Sequence, residues 1–100
     1  MIISFRHKGL ENFFLKESMK GIQSIHAKKL RHQLTVLNAL SQEEDILAFK
    51  EWSPHKLKGL NPKGQSVDGH WSLKVSGNWR ITYFLTENGD VVLTDYLDYH

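Results

Sequence analysis

Two hydrophobic periodicities follow each other at the start of the chain. The segment Met1–Arg6 alternates around Ile3 and Phe5, which predicts a short strand over residues 1–6. The apolar residues between positions 10 and 14 then recur at helical spacing, and Gly21 is predicted to end that first helix. The chain therefore opens with a strand followed by a helix.

A second amphipathic helix is predicted after Ser24, which is a favourable N-cap residue. Its apolar stripe is Ala27, Leu30, Leu34, Leu37 and Leu40, with basic residues on the opposite side. The segment Ser41–Glu44 has the pattern of a capping box and predicts a further short helical turn that reaches Phe49.

The second half of the chain changes to the period of two that is typical of strands. Residues 71–75 alternate, residues 76–78 form a turn signal, and residues 79–85 alternate again, which predicts a β-hairpin. A second turn signal at 87–90 precedes a strand over 91–96. The predicted fold class is α+β: two N-terminal helices pack on one face of a small, mostly antiparallel, twisted sheet whose other face stays partly open.

Composition places this fold in one ordinary domain. With 100 residues, of which 40% are hydrophobic and 24% charged, we expect a single domain over 1–100 and no membrane span. The first residues lack the pattern of a secretory signal, so we expect a cytoplasmic protein. The absence of cysteine excludes disulfides, thiol nucleophiles and cysteine metal sites.

The distribution of charge is more informative than the net charge of +2. Basic residues outnumber acidic ones in the first 42 positions, and Lys28, Lys29 and Arg31 cluster on the second predicted helix. This cluster is either a solvated helix face or a phosphate-binding stripe, and the sequence favours neither.

Arg80 lies in the middle of a predicted strand and points away from the aliphatic residues of that strand. A mid-sheet arginine is costly unless it is paired or hydrated, so we expect its guanidinium on the open face, available to a carboxylate or a phosphate. A structural ion pair with Asp95 or Asp98 is the alternative.

Two further segments carry titratable groups. His55, Lys56 and Lys58 precede a long loop over 59–69, and the chain ends with Asp98-Tyr99-His100 directly after a strand, which indicates a docked terminus. Cleavage of RNA without a metal requires a base, an acid and cations around the phosphate, and these segments supply all three. No zinc-protease motif or carboxylate cluster at ligand spacing is present, so no metal site is predicted, and the lack of a nucleophile elbow leaves acyl chemistry without support.

Several blocks in order resemble the HigB toxins of the RelE/ParE superfamily. They are the opening Met1–Leu10, the segments His55–Gly59, Gly69–Val75 and Asn78–Ile81, and the terminal Asp98-Tyr99-His100. The similarity covers most of the chain, although the stretch between Gly59 and Gly69 looks longer than in compact HigB sequences. That insertion contains Lys63, which either adds an RNA contact or belongs to a tolerated surface loop.

The resemblance implies a ribosome-dependent endoribonuclease that cleaves mRNA, needs no cofactor and is restrained by a HigA-type antitoxin. Lys58 and Arg80 would contact the scissile phosphate, and His55 would accept a proton or bind phosphate. Asp98, Tyr99 and His100 would supply the other acid–base and positioning groups. Further RNA contacts are predicted for Lys28, Lys29, Arg31, Lys56 and Lys63.

Two other functions remain open at the level of sequence. ParE relatives share the fold but poison DNA gyrase, and a non-catalytic RNA-binding module would use the same basic residues without chemistry. The combination of His55, Lys58, Arg80 and a terminal histidine favours the nuclease.

Overall fold

The computed structural model describes residues 1–100 and contains two α-helices in its first forty residues. Helix α1 is Lys8–Lys16 and helix α2 is Ala27–Ala39, and short 3-10 helices cover Ser24–His26, Glu43–Ala48 and Lys50–Trp52. The predicted end of the first helix at Gly21 is wrong, because Glu17 adopts a left-handed conformation (φ 56°) directly after Lys16. Neither Ser24 nor Ser41 provides a side-chain cap, so the predicted N-cap and capping box do not form.

The four strands form one antiparallel meander. They are β1 (His55–Lys56), β2 (Trp71–Ser76), β3 (Trp79–Leu85) and β4 (Val91–Asp98), in the order β1-β2-β3-β4. The α+β class and the antiparallel sheet are thus confirmed. The predicted strand over 1–6 is reduced to isolated parallel bridges of Ile2 with Val91 and of Phe5 with Thr94.

The main core joins the helices to one face of this sheet. The buried apolar cluster contains Leu10 and Phe13 of α1, three leucines of α2, and inward-facing residues of all three long strands. Its fully buried members are Leu10, Leu30, Leu37, Ile46, Leu73, Ile81, Tyr83 and Val91. We call this side of the sheet the helix face. Neither α1 nor α2 is long and apolar enough to cross a membrane.

The opposite face of the sheet is more covered than the sequence predicts. Thr82 of β3 and Asp95 of β4 are directly opposite each other on this face, and both are at least 99% buried. The segment 57–70 packs over them: Val67 is buried and Gly69 lies against the ring of Phe84. The segment 59–69 is therefore an ordered cover of the second face rather than a free surface loop.

A buried histidine connects the helix layer to the sheet. His26 is 3% exposed, and its ring nitrogens lie 2.6 Å from Tyr96 Oη and 2.7 Å from Ser76 Oγ. Its ring also meets Trp79 edge to face. Because Ser76 and Trp79 flank the β2–β3 turn, His26 fixes the base of that hairpin.

Stability is expected to decrease below about pH 6.5, in part through His26. Burial, with a smaller contribution from Lys29, lowers the pKa of His26 in the folded state. The unfolded chain therefore binds protons more readily, so this stability is present above the unfolded pKa of 6.5 and is lost as the pH falls through the lower folded pKa. Urea unfolding at pH 7.5 and pH 5 measures the loss.

The variant His26→Gln should show a smaller decrease over the same pH interval, because the glutamine does not titrate. Part of the decrease remains in the variant, since burial also lowers the pKa of His7 and His70. An undiminished pH dependence in His26→Gln would contradict the assignment to His26.

Candidate functional site

The C-terminal residues are docked beside the β2–β3 turn. Asp98 is the register partner of Trp79, and the backbone N–H of Tyr99 donates to Asn78 O at 2.8 Å. The ring of His100 turns back to Asp98, with Nδ1 3.0 Å from Oδ1. A carboxylate only accepts, so Nδ1 carries the hydrogen and Nε2 of His100 is free to exchange a proton.

Arg80 lies next to this terminus and is anchored by the turn itself. Its Nη1 donates to Gly77 O at 2.7 Å and to Trp79 O at 3.0 Å. No ion pair joins Arg80 to Asp95 or Asp98, so the alternative of a structural salt bridge is wrong. The backbone carbonyls orient the guanidinium and leave its charge without an acidic partner.

Lys74 is a cation at this position that the sequence analysis did not select. It is exposed, is the direct register partner of Arg80, and takes part in no ion pair. Like charges directly opposite each other on a sheet destabilise it. The Lys74–Arg80 pair is therefore suited to an external anion, and a phosphate group has the charge and the acceptors to bridge the two side chains.

His55 and Lys58 lie at the other edge of the sheet. His55 is on β1, three strands from β4, which corresponds to roughly 14 Å across the sheet. Its Nδ1 donates to Ser53 O at 2.9 Å, so its exposed ring also has Nε2 free as an acceptor. Lys58 is exposed and has no acidic partner.

The register places His55 on the same side of the sheet as Arg80. His55 is opposite Ser72, and Ser72 is opposite Thr82. Thr82 and Arg80 are two residues apart on β3, so both side chains are on the side away from the helices. The structure thus divides the predicted residues into a terminal group with Arg80 and a β1 group. Between the two groups Ser72 and Thr82 are buried, so the two groups are separate on the surface.

The other predicted RNA contacts are dispersed. Lys56 is on the helix face, where its Nζ lies 2.6 Å from Glu43 and above the ring of Trp71. Lys28, Lys29 and Arg31 are on α2, in the layer on the other side of the sheet from Arg80. Lys63 is exposed in the 57–70 cover.

Arg31 is also engaged within the helix layer. Its guanidinium lies over the ring of Phe13, 5.3 Å from the centroid, and its Nε is 3.9 Å from a carboxylate oxygen of Glu17. Arg31 therefore contacts helix α1 and Glu17, the residue that follows this helix.

The chemistry available at the site is that of proton transfer around an anion. Two imidazoles with free Nε2 atoms, and an arginine opposite a lysine without an acidic partner, are groups that phosphodiester cleavage uses. The hydroxyl of Tyr99, which the sequence also predicts for the site, is buried. No group of three or more His, Asp or Glu side chains is arranged to hold a metal ion.

This fold and site define a small α+β protein with exposed histidines and cations without acidic partners around its antiparallel sheet. Residues 3–100 match the family model of the RelE-like toxin of the type II toxin-antitoxin system HigB, and the chain belongs to this family. It is also 33% identical over 100 residues to Endoribonuclease HigB of Proteus vulgaris, and the match covers 100% of both chains. A toxin of this family acts together with an antitoxin partner.

Proposed function

We propose that this protein is an endoribonuclease that cleaves mRNA on the ribosome and thereby inhibits translation. The observation that carries the proposal is the Lys74–Arg80 pair, two cations opposite each other without an acid, in a sheet whose last strand ends in the His100–Asp98 pair. The similarity to a curated endoribonuclease over the full length supports the same activity.

The proposed reaction uses only groups of the protein and the RNA. A base removes the proton of a 2′-hydroxyl, the oxygen attacks the adjacent phosphorus, and the bond from phosphorus to the 5′-oxygen breaks as an acid protonates the leaving group. Arg80, Lys74 and Lys58 stabilise the charge that develops on the phosphate oxygens. This metal-independent route leaves a 2′,3′-cyclic phosphate and a 5′-hydroxyl.

His55 and His100 are the candidates for proton transfer, since the hydrogen bonds at Nδ1 leave Nε2 available in each ring. Asp98 orients His100, and Tyr99, whose hydroxyl is buried and whose backbone N–H donates to Asn78 O, holds the terminus in place. Lys56, Lys63, Lys28, Lys29 and Arg31 remain proposed contacts to RNA. The three on α2 are suited to ribosomal RNA rather than to the scissile strand, because they lie on the opposite layer.

The proposed partners follow from this function. The antitoxin is of the HigA type, the substrate is mRNA in the decoding site of the ribosome, and the site of action is the cytoplasm, where translation occurs. The two helices over one face of the meander form a RelE/ParE-like arrangement, which leaves the cations Lys58, Lys74 and Arg80, outside the helix layer, available to a nucleic acid.

Mapping of mRNA 5′ ends after brief induction of the protein tests the proposal. We expect new ends inside reading frames, and these ends should disappear when translation initiation is blocked. Growth arrest with intact mRNA and induced DNA damage would instead indicate a ParE-like gyrase poison. RNA binding without product on translating ribosomes would indicate a non-catalytic module.

A further inference from the structure

Trp79 differs from the other two tryptophans of the chain in its exposure. Trp52 and Trp71 are 3% and 6% exposed, whereas Trp79 is only half-buried. The next residues on the same side of β3, Ile81 and Tyr83, are completely buried, so the core ends at Trp79. A partly open indole offers a π-face, on which a nucleobase of any kind can stack.

Two buried rings hold the indole of Trp79 from the core side. The ring of Tyr96 packs against it, with the centroids 4.7 Å apart and the planes at 33° to each other. The imidazole of His26 meets it edge to face, with the centroids 5.7 Å apart. Because these contacts fix the indole before any ligand binds, stacking on it costs little conformational entropy.

The hydroxyl of Ser76 lies next to Trp79 on the same side of the sheet. Ser76 is exposed and is the register partner of Trp79, and its Oγ is 2.7 Å from Nε2 of His26. The other ring nitrogen of His26 is 2.6 Å from Tyr96 Oη. Burial lowers the pKa of His26, so its imidazole is neutral at neutral pH and donates one of these hydrogen bonds while it accepts the other. In both arrangements the position of Ser76 Oγ is fixed, and the hydroxyl keeps a hydrogen or a lone pair for a second partner.

The Asp98–His100 pair lies on the other side of Trp79. Asp98 is the register partner of Trp79 on β4 and is two residues after Tyr96, so its side chain is on the helix face. The imidazole of His100 is bonded to this carboxylate. Ser76, Trp79 and Asp98 therefore form one row across three strands, with adjacent strands roughly 5 Å apart. A hydroxyl, an indole and a proton-transfer group are thus neighbours on one surface.

We propose that Trp79 stacks a nucleobase of the RNA substrate and that Ser76 forms a hydrogen bond with the same nucleotide, which is thereby held next to His100. Stacking on an aromatic ring tolerates every base, so Trp79 contributes affinity and position rather than sequence preference. The consequence for cleavage rests on the proposed function, whereas the binding of a base to the indole does not.

The first test compares Trp79→Leu with Trp79→Phe on programmed ribosomes. Leucine fills apolar space without a π-face, whereas phenylalanine keeps one. We expect the single-turnover cleavage rate to fall roughly 5- to 150-fold in Trp79→Leu, the contribution of one stacked base, and clearly less in Trp79→Phe. Ser76→Ala should also lower the rate, and the exposed control Ser41→Ala should not. Equal rates in Trp79→Leu and the wild type overturn the proposal.

Removal of a base from the RNA distinguishes stacking from a structural role of the indole. Two mRNAs carry one abasic nucleotide each, directly before or directly after the scissile bond. The wild type should cleave one of them more slowly than the intact mRNA, whereas Trp79→Leu should cleave that one and the intact mRNA at the same rate. If base removal slowed Trp79→Leu as much as the wild type at both positions, the indole would not be the stacking partner and the proposal would be overturned.

A further measurement needs neither cleavage nor a ribosome. The probe is a 2′-O-methyl RNA tetranucleotide, which has no free 2′-hydroxyl for the attack on phosphorus. Because Trp52 and Trp71 are buried, quenching of tryptophan fluorescence by this probe reports on Trp79. We expect quenching in the wild type and none in Trp79→Phe. Absent quenching in the wild type, or equal quenching in both proteins, overturns the proposal. Quenching confined to a wild type that cleaves no mRNA on ribosomes would support the stacking site and contradict the proposed function.

Discussion

Replacement of His100 by alanine is expected to reduce mRNA cleavage roughly 10²- to 10⁴-fold, the usual contribution of a general acid or base. The ring is held by Asp98 at 3.0 Å and leaves Nε2 free, so the substitution removes the proposed proton-transfer group of the terminus. The side chain is 73% exposed, and its removal should change the free energy of unfolding by less than about 0.5 kcal/mol. Rates on programmed ribosomes and urea unfolding measure the two effects.

His32→Ala is a matched control for this experiment. His32 is exposed on α2 and packs against Trp52 in the helix layer, away from the terminus. Its substitution should leave the cleavage rate unchanged. Deletion of His100 should reduce cleavage as much as His100→Ala, because both changes remove the imidazole. Toxicity that persisted in both His100→Ala and Arg80→Ala would refute the assigned site.

The β2–β3 hairpin shows how much the alternation of apolar and polar residues can predict. A two-residue turn at 77–78 would place Val75 opposite Arg80, on one face, although Val75 is apolar and Arg80 is charged. The structure resolves this conflict with a register shift between Lys74 and Ser76, which places Leu73 opposite Ile81 and Lys74 opposite Arg80. The conflict was visible in the sequence, and it could have revealed Lys74 as the partner of Arg80.

Other features of the site could not be predicted from local pattern. Strand β1 has only two residues, too few for an alternation, so the position of His55 at a sheet edge depends on its pairing with Ser72. Thr82 and Asp95 are polar residues that alternation assigns to solvent. They are buried because a segment from elsewhere in the chain covers them, and tertiary cover of this kind leaves no local signal.

The basic residues on α2 show that a cluster in the sequence does not reveal which layer of the fold it occupies. Clustering in sequence made Lys28, Lys29 and Arg31 as prominent as Arg80, but only the fold assigns each to a layer. The apolar stripe of α2 packs on the helix face of the sheet, and this directs the basic residues of the helix away from the other face. Sequence clusters of charge therefore identify candidates, and the sheet register selects among them.

Replacement of Arg80 by alanine is expected to lower cleavage roughly 10²- to 10³-fold, comparable to the loss of one preorganised donor to a transition state. The carbonyls of Gly77 and Trp79 fix one nitrogen of the guanidinium, so its remaining donors are oriented before the RNA binds. Arg80→Lys should recover only part of the rate, because an ammonium group cannot bond both carbonyls and a phosphate in the same planar geometry.

The Lys74→Ala and Lys16→Ala variants complete the comparison with Arg80. Lys74 lacks the anchoring bonds of Arg80, so we expect a smaller decrease than for Arg80→Ala, with a stronger dependence on salt than in the wild type. Lys16 is exposed at the end of α1, and its removal subtracts the same charge from the helix layer without affecting cleavage. Cleavage rates at two ionic strengths distinguish a local role from general attraction to RNA. If Lys16→Ala and Arg80→Ala reduced the rate equally, the guanidinium would contribute only net charge, and the phosphate site on this face would be refuted.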